Sequence, residues 1–309
     1  MLYHAENYSL APEYDQYGMV IESTLGREDP WHVRVAVARA IEASAPSFRA
    51  ADVVPFFVFA LQPGTALSDR HEAVRHAMLE ASSAVIDARG DDVLSELLSQ
   101  LEASLESEHD AVTEAAVVLL GRAARYLPAD SAHVRRVVER LLSALRTPSE
   151  LVQEAVASCL PALVRASAAA KDVPSIVDRL FVDLLHGDKY ATRRGAAYGL
   201  AGVVKGRGVS AIRELRILAR LSEAAHDTST TTTRQGALFA YELLASTLHV
   251  LLEPYVDGIL ADLLLCFGDT HADVREATQD AARVLMRSLS GQCLKLILPS
   301  LLDGLDEKQ

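Results

Sequence analysis

Apolar residues along this chain recur in two successive stripes, each at helical spacing, within every stretch of about 40 residues. The pattern is plainest after Pro254, a residue that a first helical turn tolerates. Tyr255, Val256, Ile259, Leu260, Leu263, Leu264 and Phe267 share one face. Gly268 and Asp269 interrupt the stripe, and Val274, Ala277, Ala281, Val284 and Leu285 form a second one. Two antiparallel helices joined by a short turn satisfy this pattern. The same plan fits 50–61 with 71–88, 91–106 with 111–126, 131–146 with 150–168, and 175–186 with 190–204. A first helix is expected over about 13–25, and a polar turn at Thr228–Thr233 precedes a helix beginning near Arg234.

A short anchor gives the period. VRVA ends at Ala36, VRHA at Ala77, VTEA at Ala115, VQEA at Ala155, RRGA at Ala196, RQGA at Ala237 and VREA at Ala277, with spacings of 41, 38, 40, 41, 41 and 40. A period this regular belongs to a solenoid, in which each unit buries apolar surface against its neighbours. The expected fold is all-α, an α-α superhelix of about seven HEAT-type helix pairs plus one unpaired C-terminal helix. The repeats run approximately 13–46, 50–89, 91–127, 131–169, 173–206, 209–250 and 254–289, with a half-repeat at 292–306. The array is expected to be a single body over 1–309, cut from a longer one, because the last helix (Leu294, Ile297, Leu298, Leu301, Leu302) has no second helix to cover it. Asp29, Asp69, Asp110, Asp188, Asp227 and Asp269 precede the second helices, and an arginine follows five to seven residues later in five of the six cases. An aspartate there can cap the helix and accept from an arginine of its own or the next repeat. This predicts a ladder of Asp29, Arg34, Asp69, Arg75, Asp188, Asp269 and Arg275. Pro55, Pro161 and Pro299 are expected to kink their helices.

Charge divides the chain unevenly. Of the formal −12, residues 1–150 carry −10, from 13 arginines and no lysine against 23 acidic residues. A polyanion is therefore expected to meet the second half. From Lys189 to Gly208 there are five cations and no acid. Lys189, Arg193, Arg194, Lys205 and Arg207, together with Arg234, are the candidate polyanion contacts. Against this stands a structural use for the same residues: Arg193 or Arg194 matches the ladder position, and cations near a helix C-terminus favour its dipole. The glycines of that stretch do not make a phosphate loop, because Lys205 precedes Gly206 and the context is helical. Gly195, Ala196, Gly199 and Gly202 instead form a small-residue stripe that lets two helices approach. The ten histidines are scattered, and Cys159, Cys266 and Cys293 have no close spacing. The expectation is no catalytic residue, no cofactor, no metal and no small-molecule substrate. The N-terminus lacks a signal peptide's pattern and no run of about 18 apolar residues exists, so no membrane contact is expected.

Thr147–Val164, Asp188–Gly208, Gly236–Leu244, Leu251–Val256, Leu263–Asp269 and Lys295–Leu305 closely resemble the central region of the general-control translational activators. These are very large HEAT-repeat co-activators of the amino-acid-starvation kinase, and the region is similar to the HEAT domain of elongation factor three. The resemblance is dense from about Thr147 onward and departs from the family at Thr228–Thr233. It implies a cytoplasmic, non-catalytic scaffold that associates with ribosomes, through ribosomal proteins and rRNA. It also implies a part in relaying starvation signals to the kinase that phosphorylates initiation factor two, whose own binding segment lies outside this chain. The alternatives are a generic protein-binding HEAT scaffold of transport-receptor or phosphatase-scaffold type, and the HEAT part of an elongation-factor-three-like ABC ATPase.

Overall fold

All regular elements among the described residues are helical. The computed structural model describes residues 16–17, 19, 29–127, 132–165 and 171–306. The helix expected over 13–25 lies essentially outside them. Contacts group the chain into two units, Met1–Tyr126 and Leu127–Gln309.

The first unit contains α1 (Trp31–Ser44), α2 (Ala50–Ala60), α3 (Glu72–Arg89), α4 (Leu94–Ser104) and α5 (Asp110–Ala123). Each buries one stripe. In α3 that stripe is Val74, Ala77, Met78, Ala81 and Val85, and in α4 it is Leu97, Leu98 and Leu101. His71 starts α3 by accepting the Ala73 N–H on its Nδ1 at 3.3 Å, and its ring stacks on Trp31 at 4.4 Å. The sequence-adjacent α4 and α5 pack as a pair, and α3 lies between α1 and α5 while α2 meets α4. Helices of one register therefore form one layer, and helices of the other register form the second.

The second unit repeats the arrangement. It contains α6 (Ala132–Ala144), α7 (Glu150–Leu163), α8 (Val173–His186), α9 (Tyr190–Arg207), α10 (Ser210–Glu214), α11 (Ile217–Ala225), α12 (Thr231–Leu248), α13 (Val256–Phe267), α14 (Ala272–Ser288) and α15 (Gly291–Asp306). Here α7, α9, α12 and α14 stack in that order as one layer. The two layers approach closely because α9 and α12 carry glycine where they meet the backbone of the first helices. A Cβ on Gly195 would lie 1.8 Å from the Leu145 carbonyl oxygen, and one on Gly236 would lie 2.2 Å from that of Leu184. These glycines are one repeat apart and press against the end of the preceding repeat's first helix. Gly202 and Gly206 likewise rest on Ala157 and Pro161 of α7. The expected small-residue stripe does what its spacing suggested.

Three local departures from the periodic reading have physical causes. Helix α12 begins at Thr231, not near Arg234, because the threonines build its first turn. Thr230 and Thr233 hydroxyls bond each other, and Thr233 also donates to the Leu185 carbonyl. Between α9 and α11 the chain inserts the short α10, entered through Gly208 at φ 89° and left through Arg216 at φ 52°. Pro254 lies within a 3-10 segment, His249–Tyr255, and the helix proper starts at Val256. Pro55, Pro161 and Pro299 all sit inside helices.

Candidate functional site: an arginine ladder and the cations outside it

Near the start of α3, α5, α7, α9, α12 and α14, one buried or half-buried donor reaches back to the turn that precedes the helix. Arg75 donates to the Asp69 carbonyl at 2.9 Å, Thr113 to Ser107 at 3.2 Å and Gln153 to Thr147 at 2.7 Å. Arg193 donates to Gly187 at 2.8 Å, Arg234 to Asp227 at 2.7 Å and Arg275 to Asp269 at 2.6 Å. The reach is six residues in five of these and seven at Arg234, where the threonine turn adds one. Carbonyls in such turns have no helical partner, and burying one unpaired costs about 1–3 kcal/mol. A donor at this position removes that cost in each of these repeats.

The same donors link successive repeats. Arg34 holds Asp29 with both terminal nitrogens, at 2.6 and 3.0 Å, and Asp69 of the next repeat at 2.7 and 2.9 Å. Arg70 returns to Asp29 at 2.9 and 3.0 Å. Hydrogen bonds from Arg34, and then from Arg70, hold the Asp29 carboxyl well below the usual carboxylate range. Arg234 bridges to Asp269 at 2.6 Å. Burial alone would raise the Asp269 pKa, but Arg234 and the His271 N–H outweigh it and the net shift is downward. Arg193 extends to Gln235 at 2.7 Å, and Gln153 to the Ala191 carbonyl at 3.0 Å.

The expected ladder is thus modified in two ways. Asp69 and Asp269 do not cap their helices directly. Each accepts the amide two residues on, at His71 and His271, and so fixes the turn before the helix. Asp227 does the same with Ser229 at 2.8 Å. Asp188 is exposed, and Arg193 uses its main-chain oxygen at 3.2 Å, not its carboxylate. Thr113 and Gln153 take the same position without being arginines. The spacing from the preceding turn, independent of residue type, is the signal that finds them.

The candidate polyanion contacts fall into two classes. Arg193 is 6% exposed and Arg234 8%, and both are committed to the ladder. Arg194 is not a ladder residue. Its side chain is 14% exposed and lies between Glu242, at 2.5 and 2.9 Å, and Glu150 at 3.3 Å, with the Phe239 ring 5.4 Å away. These three cannot meet a phosphate backbone without giving up interior partners, so they leave the candidate set. Lys189, Lys205 and Arg207 are exposed, with no ion-pair partner among the described residues. They do not form one patch: Lys189 begins α9 and the others end it, ~24 Å away at 1.5 Å per residue. Arg165 donates to the Gly206 carbonyl at 3.1 Å, and exposed Arg213 follows on α10. The C-terminal edge of α9 therefore carries Lys205, Arg207 and, through the Gly206 carbonyl, Arg165, with Arg213 on the α10 that follows.

No helix among the described residues is long and apolar enough to cross a membrane, and no group of three or more His, Cys, Asp or Glu among them is placed to hold a metal ion. Comparison with known proteins gives the repeats a family. HEAT repeats described as those of the stalled ribosome sensor GCN1 match residues 1–125, and the elongation factor three N-terminal HEAT repeat matches residues 193–309. The Homo sapiens protein named "Stalled ribosome sensor GCN1" is 41% identical over 99% of this chain. The chain belongs to the GCN1 family. The Saccharomyces cerevisiae member, named "eIF-2-alpha kinase activator GCN1", is 36% identical over 96% of the chain. An elongation factor 3 from Gonapodya prolifera is 30% identical over 38% of the chain and 11% of its own length. The chain spans 12% of the human GCN1 and 11% of the yeast GCN1.

Proposed function

We propose that this chain is a non-catalytic HEAT segment of a longer, continuous array that associates with ribosomes in the cytoplasm. Its part in activating the kinase that phosphorylates initiation factor two is to help hold the array on the ribosome, with kinase contacts supplied by other regions. The observation that carries this reading is the 41% identity, across nearly the whole chain, to a protein named as a stalled ribosome sensor. Ribosomes present phosphate and basic protein surfaces, and a polyanion is met by exposed cations that need not abandon interior partners. Lys205, Arg207 and Arg213 meet that condition. Arg193, Arg194 and Arg234 serve the fold that carries them.

Cosedimentation of the chain with purified ribosomes at low salt tests the proposal. Wild-type chain pellets with ribosomes, and the Lys205→Glu/Arg207→Glu/Arg213→Glu variant stays in the supernatant with an unchanged circular dichroism spectrum. Equal pelleting of the two removes the edge from the account. Absence of pelleting by the folded wild-type chain removes the ribosome.

A further inference from the structure

The two helix layers of the second unit are joined from repeat to repeat in different ways. Helices α7, α9 and α12 lie backbone against backbone, and a Cβ on Gly202 of α9 would stand 2.7 Å from the Ala157 carbonyl oxygen of α7. The ion pair between Arg234 and Asp269, which joins α12 to the repeat that follows, is closed off from solvent, with each side chain 10% exposed. The backbones of the first helices α6, α8 and α11 stand further apart. A cavity of about 250 Å³ opens between α6 and α8 over the buried Val138 and Ile176.

Side chains span that gap. Arg135 of α6 reaches Asp172, at the start of α8, at 2.7 Å, and Glu139 meets Arg179. Arg146, in the turn after α6, holds Asp183 at 3.0 Å. Asp178 of α8 accepts from Arg220 of α11 at 2.8 Å, and the Arg220 guanidinium lies 3.7 Å from the centre of the Phe181 ring. In each pair one side chain keeps more than half of its surface in solvent: 55% at Arg135, 61% at Glu139, 53% at Arg146 and 70% at Asp178. Salt weakens exposed pairs, because the screening length falls from ~30 Å at 0.01 M to ~3 Å at 1 M, whereas buried pairs are screened much less. One layer therefore responds to ionic strength, and the other is held by contacts that do not.

We propose that these ion pairs form a salt-sensitive clasp along the first-helix layer of the second unit. Closed, the pairs draw α6, α8 and α11 together. Screened or removed, they let this layer spread, with the glycine contact of α9 on α7 as the fulcrum. The clasp sets the rotation between these repeats, and that rotation shapes the surface a repeat array offers to a partner.

Fluorescence energy transfer on the whole chain tests it. One preparation carries dyes at Ser143→Cys of α6 and Ala219→Cys of α11, and a second carries them at Ser158→Cys of α7 and Ser246→Cys of α12. All four positions are exposed. Cys159 is replaced by alanine, and Cys266 and Cys293 are buried. From about 0.01 M to 1 M sodium chloride, the α6–α11 distance lengthens by a few ångström and the α7–α12 distance does not change. Glu139→Gln/Asp178→Asn, two near-isosteric changes at exposed sites, lengthens the α6–α11 distance at low salt and reduces its salt response. Glu139→Arg also lengthens it, and adding Arg179→Glu shortens it again. Melting curves show each variant folded. The proposal is overturned if the α6–α11 distance is constant across the salt series, if the two distances change together, or if the neutral double variant keeps the wild-type distance and salt response. Each of these results leaves the ribosome reading standing, because that reading rests on Lys205, Arg207 and Arg213.

Discussion

Arg193 and Lys205 lie on the same helix with the same charge, and burial gives them opposite uses. Arg193 closes a turn and reaches the next repeat, whereas Lys205 is free in solvent. The difference is measurable at single residues. Arg234→Ala leaves Asp269 half-buried without its partner and should lower the unfolding free energy by about 3 kcal/mol, in the range for breaking a buried ion pair. Lys189→Ala should change it by less than about 0.5 kcal/mol. Urea denaturation of the two variants checks both. The Asp29 carboxyl gives a pH signature. Arg34 and Arg70 lower its pKa in the fold. Its contribution is therefore present above the unfolded value of about 3.9 and is lost as pH falls below it, since acid then protonates the unfolded chain first. In thermal melts from about pH 5 to pH 2, Asp29→Asn should lose less stability than the wild type while starting lower. At this scale the sequence located the rungs but not the occupants. The anchor phase marks the start of each second helix to within a residue. Adjacent helical residues point about 100° apart, so whether Arg193 or Arg194 closes the turn depends on a rotation the period does not carry. Arg194 was drawn off by Glu242, forty-eight residues away, a partner with no local signal.

Helices were legible because each repeat alternates two apolar stripes with a break between them, a pattern that survives substitution at any one position. Their junctions were not. The insertion of α10 and the 3-10 segment His249–Tyr255 depend on two residues with positive φ, Arg216 and His249, whose side chains give no hint of it. Close approach of α9 to its neighbours was readable from the glycine spacing, and the structure adds that Gly202 and Gly206 bear it against α7, while Gly195 meets the end of α6 and Gly236 of α12 meets α8. Gly195→Ala and Gly236→Ala would each force a methyl group into a backbone carbonyl. Overpacking of this kind costs typically 1–3 kcal/mol, and these sites should fall at or above about 3 kcal/mol. Gly258 is the control. It lies in α13 with nothing within 4 Å of a Cβ, and Gly258→Ala should raise stability by about 0.5–1 kcal/mol, the helix-propensity gain of alanine. Thermal denaturation of the three variants separates a contact glycine from an incidental one. The expected fold change of sign between Gly236 and Gly258 is the informative result.

Across the molecule, the acidic first half and the nearly balanced second half frame the functional reading. The second unit presents cations at the C-terminal edge of α9. The family relationship was legible from long motifs after Thr147, and the all-α repeat fold from the 40-residue period. The free cations were only partly legible, because a linear run of positive charge does not reveal which members are buried. The account's central claim is that ribosome association depends on the exposed edge and not on the ladder arginines. The salt dependence of ribosome cosedimentation tests it most directly. Each cation that displaces a counterion adds a little under one unit to the slope of log affinity against log salt. Replacing Lys205, Arg207 and Arg213 by glutamine, which removes three cations without adding repulsion, should weaken binding and make that slope shallower by about three units. An unchanged slope in a folded variant would contradict the account.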